Sequence, residues 1–177
     1  ELLLLLKTDN NGNEQWTQTF NYSNINSGTN RGHHVKETND QGYIVVGFRG
    51  FLHDNSYGLN GTGDLVVIKT DEIGDEEWVT ILGGPITPDN FGGYSYPNEH
   101  GYHVENTFDG GYIVSGTKFN PDPSGGNNSL YVVKLDSEGS RLWEQGYDGG
   151  GEPDGPVGLT IKPPLDGGYI MGGTIYT

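Results

Sequence analysis

An all-β fold of short antiparallel strands in recurring four-stranded units is what this sequence predicts, and three observations predict it. A ten-residue pattern occurs three times, as KTDNNGNEQW (7–16), KTDEIGDEEW (69–78) and KLDSEGSRLW (134–143), each time after a short apolar run. A second pattern alternates with it, as GHHVKETNDQGYIVVG (32–47), GYHVENTFDGGYIVSG (101–116) and GLTIKPPLDGGYIMGG (158–173). No stretch carries the 3.6-residue apolar period of an amphipathic helix.

The opening run ELLLLL aligns with DLVVI before Lys69 and SLYVV before Lys134, so it reads as a buried strand. It is too short to span a bilayer and lacks the basic flank and cleavage site of a signal peptide. The chain begins with Glu1, as a mature or cropped piece would. Each long motif is two strands joined by a turn, and NDQG, FDGG and LDGG supply the Asp and Gly that tight hairpins need for positive φ and side-chain capping. DNNG, DEIG and DSEG do the same in the shorter motif. One unit is then strand A (around Val35), B (43–47), C (65–69) and D (77–82). The motif lysines recur at intervals of 62 and 65 residues, and self-similarity of a four-stranded unit at such a period is the signature of a β-propeller.

Read in this register, residues 1–177 are a single domain holding three blades' worth of sequence: full blades about 32–83 and 101–147, with halves 1–20 and 157–177 able to pair. Three blades fall below the usual four to eight. The chain is therefore a closed three-blade ring, a segment of a larger propeller, or a ring completed by a second copy.

The combination GG-YIV-G, D-LVVIKTD-x-x-G and a following Trp resembles the β-propeller repeats of bacterial and archaeal surface proteins, including the SBBP repeats. The D-x-x-G-x-x-x-W core is similar to the tryptophan-docking motif of quinoprotein dehydrogenase propellers. That resemblance implies an exported scaffold in which Trp16, Trp78 and Trp143 lock neighbouring blades together.

Composition narrows the function. A net charge of −15 with only nine Lys and Arg disfavours nucleic acid and anionic membranes. With no cysteine there are no disulfides and no thiolate metal sites. Thirty-one glycines serve as turn residues, while eleven Tyr, six Phe and three Trp at recurring positions argue for packed structure rather than disorder.

Alternating strand direction puts the short A–B and C–D turns on one face and the long B–C and D–A loops on the other, where binding residues usually sit. Tyr22, Phe51, Tyr57, Phe91, Tyr94, Tyr96 and Phe119 offer flat apolar faces there, and Asp89 and Asp122 offer hydrogen-bonding carboxylates. Aromatic plates beside short polar groups suit a cell-surface glycan or a protein partner. A glycosidase or lyase would need two converging carboxylates, such as Asp89 with Glu99 or Asp122, and nothing in the sequence selects such a pair. The expected protein is accordingly not an enzyme and needs no cofactor.

His34 and His103 occupy equivalent strand-A positions and are weak metal candidates, since the third unit has Thr160 there. Asp9, Asp71 and Asp136 at the C–D turns, with Asp40, Asp109 and Asp166 at the A–B turns, are candidate Ca²⁺ ligands, but self-capping of the turns explains them equally. Sequons at Asn21, Asn60 and Asn127 are candidate glycosylation sites. The expected location is extracellular or at the cell surface, and other copies of the chain are the remaining expected partner.

Overall fold

The structure is a computed structural model, and it describes the backbone of residues 1–22, 28–51, 62–83, 87–88, 94–95, 98–120, 127–147 and 157–174. All of its regular elements are β-strands: β1 (Leu3–Thr8), β2 (Glu14–Phe20), β3 (Gly28–Glu37), β4 (Tyr43–Phe51), β5 (Thr62–Thr70), β6 (Glu76–Leu82), β7 (Thr87–Pro88), β8 (Tyr94–Ser95), β9 (Asn98–Asn106), β10 (Tyr112–Asn120), β11 (Asn127–Leu135), β12 (Arg141–Tyr147), β13 (Val157–Lys162) and β14 (Ile170–Thr174). No helix among the described residues is long and apolar enough to cross a membrane.

The strands pair as the turn chemistry requires. β3-β4-β5-β6 and β9-β10-β11-β12 are antiparallel meanders of four strands, touching through one parallel pair, Gly63 opposite Asn98. β1-β2 and β13-β14 are separate hairpins, and β7-β8 is a third, two residues to a strand. Among the described residues no sheet closes on itself, and β14 is not paired with β1.

Period-two alternation sends successive side chains to opposite faces. In the first meander Val45, Val66 and Ile68 face the β1-β2 hairpin, where they bury Leu3, Leu5 and Phe20. Ile44, Val46, Leu65 and Val67 face the second meander and meet Val104, Val114, Tyr131 and Val133. The second meander's other face, with Ile113 and Val132, packs Ile161 and Met171 of the β13-β14 hairpin. Hairpin, meander, meander and hairpin therefore stack in sequence order with an apolar layer at each joint. Fully burying one of these aliphatic side chains is worth about 1.5–3 kcal/mol.

Three bulges place side chains that simple alternation would misplace. The pairing of β3, β9 and β13 with its neighbour slips after Gly32, Gly101 and Gly158, so His33, Tyr102 and Leu159 are the extra residues. A bulge bends its strand and re-aims the side chains beyond it. Glycines in the partner strands make room: a Cβ at Gly47 or Gly116 would stand 1.9 Å from the carbonyl oxygen of Arg31 or His100.

Candidate functional site

The C–D turns are built identically. Asp71 Oδ1 accepts the amides of Ile73 and Asp75 at 3.0 and 2.8 Å, Asp136 Oδ1 those of Glu138 and Ser140 at 3.0 and 2.7 Å, and Asp9 Oδ1 those of Asn11 and Asn13, both at 2.9 Å. Each aspartate thus caps its own turn, and Gly12, Gly74 and Gly139 take the positive φ that closes it.

Just before each of the later two turns stands a lysine on the core face of its strand. The Lys69 side chain is 2 % exposed, and its Nζ donates to Asp40 at 2.8 Å, Glu77 at 2.6 Å and the Thr70 carbonyl at 3.0 Å. Lys134 repeats this with Asp109 and the Leu135 carbonyl, both at 3.0 Å. Burial opposes the Lys69 charge, but the two carboxylates outweigh it and raise its pKa. Burial likewise pushes the Asp40 carboxyl up, and the Lys69 ammonium, the Thr38 hydroxyl and the Gly42 amide reverse this, leaving it at about 2. Asp109 also sits at about 2, held there by Thr107 first and then Lys134. The glycine two residues after each of these aspartates leaves no room for a side chain, since a Cβ at Gly42 or Gly111 would stand 2.7 Å from the ammonium and closer still to a carbonyl oxygen.

Between the meanders the Lys69 cluster lines a cleft of about 530 Å³, with Asp40, Glu77 and Glu138 as its carboxylates and Trp78 and Tyr112 as its aromatic lining. It opens at the short-turn end. Sequence reasoning expected the binding groups at the opposite, long-loop end. Of those residues Tyr57, Asp89, Phe91, Tyr96 and Asp122 lie outside the described residues, as do the side chains of Phe51 and Tyr94. Tyr22 is half-buried against Phe20, with ring centroids 6.4 Å apart, and its hydroxyl donates to Glu76. Phe119 is half-buried in β10, opposite Asn98 and Asn128. Glu99, considered as a partner of Asp89, is buried in β9 with Lys118 Nζ 3.9 Å away. Asn21 is exposed, while Asn60 and the side chain of Asn127 lie outside the described residues.

The three tryptophans dock as a set. Trp16 meets Tyr43 edge-on at 5.7 Å, Trp78 meets Tyr112 at 5.8 Å and Trp143 meets Tyr169 at 5.8 Å. Tyr43 and Tyr112 open a strand of the sheet that comes next in the stack, and Tyr169 immediately precedes β14. Trp16 and Trp78 also cover the C–D turn glycine of the next meander: a Cβ at Gly74 would stand 2.8 Å from the Trp16 ring, and one at Gly139 2.6 Å from the Trp78 ring.

No family model matches the chain, and no curated protein matches it.

The structure brings His34 and His103 together, with ring centroids 3.9 Å apart. Each imidazole Nδ1 accepts a backbone amide from the next inner strand: Val104 N donates to His34 at 3.4 Å, and Ile161 N donates to His103 at 3.1 Å. An accepting Nδ1 fixes the proton of the neutral ring on Nε2. Burial first, then the neighbouring His103, lowers the His34 pKa to about 4, and burial lowers that of His103. Beside them Glu105 binds Lys36 at 2.9 Å and Lys162 on the other side. Among the described residues no three His, Asp or Glu gather as a metal site. The pair is a hydrogen-bond ladder joining β3 to β9 and β9 to β13, a role the sequence signals only through the recurrence of His at that position.

Proposed function

We propose that this chain is a β-propeller segment of the bacterial and archaeal surface-repeat type. It works outside the cell or at its surface as a non-catalytic scaffold for adhesion, ligand binding or assembly. The observation that carries the reading is the tryptophan of one sheet seated on the turn glycine of the next, twice over, with the same tyrosine contact at a third joint. Such a joint stacks four-stranded units side by side, as propeller blades stack.

Four of the described carboxylates support the non-catalytic part. Asp40, Asp109, Glu105 and Glu144 are each bound to a cation and each held below the ordinary carboxylate range, so none is poised as a general acid. The acidic composition and the three sequons fit a solvated, exported surface. The ligand in this reading is a glycan or a surface protein, taken by the aromatic long-loop end. An array of glycans, incubated with the chain and then analysed for cleavage products, tests it. Retention without turnover is expected, and turnover of any retained glycan would replace the scaffold with a carbohydrate-active enzyme.

A further inference from the structure

Four structural parts recur along the stack, two between neighbouring sheets and two within each four-stranded meander, and among the described residues the terminal hairpins hold an unfilled half of every one. The first part is the apolar layer. On β1, Leu4 and Leu6 are 60 % and 49 % exposed, although the equivalent Val66 and Ile68 of β5 are fully buried against the preceding hairpin. On β14, Ile170 is 65 % exposed, although its equivalents Ile44 and Ile113 are fully buried against the following sheet. Among the described residues no preceding sheet covers Leu4 and Leu6, and no following one covers Ile170.

Tryptophan docking is the second part. Trp143 is 40 % exposed, whereas a Cβ at Gly12, the remaining C–D turn glycine, would meet none of the described residues within 4 Å. Gly12 is an empty seat of the kind that Trp16 and Trp78 fill. The third part is the buried ion pair. Lys69 and Lys134 have Asp40 and Asp109, but among the described residues Lys7 has no carboxylate in ion-pair range and lies over the Tyr43 ring at 5.5 Å. Asp166, the aspartate equivalent to those two, has no cation within that range among the described residues.

Strand pairing is the fourth. β4 pairs β5 with Ile44 opposite Lys69, and β10 pairs β11 with Ile113 opposite Lys134. The same register sets Ile170 opposite Lys7, and both strands have their edges free of each other within the chain. In this register Lys7 would reach Asp166 and Trp143 would reach Gly12.

We infer that β14 of one copy pairs with β1 of a second copy, so that two chains exchange edges and share two composite four-stranded sheets. The inference rests on the propeller reading above. A second copy fits better than closure within one chain for two reasons. The exposed leucines and Ile170 lie on opposite outer faces of the stack, separated by two meanders and the hairpins themselves. Two copies also make six units, within the range of four to eight where closed propellers occur, and one copy makes three. Closing both edges at once leaves none free to template further pairing.

Sedimentation and light scattering of the whole chain test this, with Lys7→Asp and Asp166→Lys as separate variants and as a mixture. The expected mass is twice the 19.2 kDa of one chain. Either variant alone sets like charges face to face at a buried site and should weaken the dimer by about a hundredfold or more. Mixing the two variants should restore it, because each chain then offers the other an opposite charge at both edges. Leu4→Lys, which keeps the ion pair and spoils the apolar layer, should also give monomers with an unchanged strand signature in circular dichroism.

A wild-type monomer at all concentrations overturns the inference. So does a dimer insensitive to these variants, an open polymer, or rescue that appears only when both substitutions share one chain. Glycan retention by a monomer would overturn the interface alone and leave the scaffold reading in place.

Discussion

Trp78 lies across the turn at Gly139, so close that a Cβ there would stand 2.6 Å from the indole ring, while Thr80 Oγ1 donates to the Gly139 carbonyl at 2.7 Å. Gly110 has a similar φ, 83° against 79°, and nothing within 4 Å of its own Cβ position. The two glycines separate backbone strain from contact. Gly110→Ala should cost about 1 kcal/mol for the left-handed backbone alone. Gly139→Ala should cost roughly 3 kcal/mol, since it must also displace the ring. Urea unfolding of both variants checks the difference, and equal losses would remove Trp78 from the joint.

Gln41 takes the position that glycine holds in the two equivalent turns, with φ 71° beside 83° at Gly110 and 89° at Gly167. A side chain in that region costs about 1–2 kcal/mol. Gln41→Gly should therefore raise stability by about 1 kcal/mol, less the chain entropy that glycine adds to the unfolded state. A lower midpoint in thermal unfolding would show that the side chain makes up the strain elsewhere.

The glycine beside each buried lysine gives a second graded series. Gly42→Ala and Gly111→Ala place a Cβ 2.1 and 2.2 Å from a carbonyl oxygen, and should lose about 3 kcal/mol or prevent folding. At Gly168 the nearest atom is 3.7 Å away, so in the isolated chain Gly168→Ala should stay within about 0.5 kcal/mol of the parent. Expression yield and thermal midpoint of the three variants decide it.

Acid should loosen the protein in two steps. His34 and His100 each have a folded pKa of about 4, below the ordinary 6.5, from burial first and a neighbouring histidine second. The unfolded chain binds their protons more readily, so the stability they preserve is complete above pH 6.5 and drains away as pH falls towards 4. Asp40 and Asp109, at about 2 against 3.8, hold their contribution until lower pH and lose it between about 4 and 2. Unfolding free energy measured from pH 7 to 3 should decline first in the histidine window. His34→Asn with His100→Asn should lessen that first decline, leaving the share of His103, and keep the second.

Calcium should have little effect at the C–D turns, because one oxygen of each capping aspartate already accepts two backbone amides. Thermal midpoints with chelator and with millimolar calcium are expected to agree within a degree. A rise of several degrees, lost in Asp71→Asn, would assign an ion to these turns.

Strand order and turns were legible because they depend on local chemistry. Asp and Gly at fixed offsets mark the hairpins, and apolar runs of five mark the strands between them. The recurrence of the tryptophans at a fixed spacing from the turn was legible. The bulges were not, since one extra residue at His33 or Tyr102 looks like ordinary strand until its partner's register is known. The buried lysines carried a readable signal: Leu65, Val67 and Lys69 share one face by alternation, and a charge on an apolar face demands a partner. That partner, Asp40, lies 29 residues away, and no local pattern reports the distance. The cleft between the meanders was hidden for the same reason, being formed by turns of two different sheets.

Every joint in the stack has a direction, a tryptophan ring reaching forward to the tyrosine of the next unit and, at two of the joints, onto its turn glycine. A unit inserted between two others would meet the same surface on both sides and leave the outer faces unchanged. Lengthening by duplication of whole units is thus mechanically neutral for this fold, whereas the loss of half a unit strands a lysine without its carboxylate.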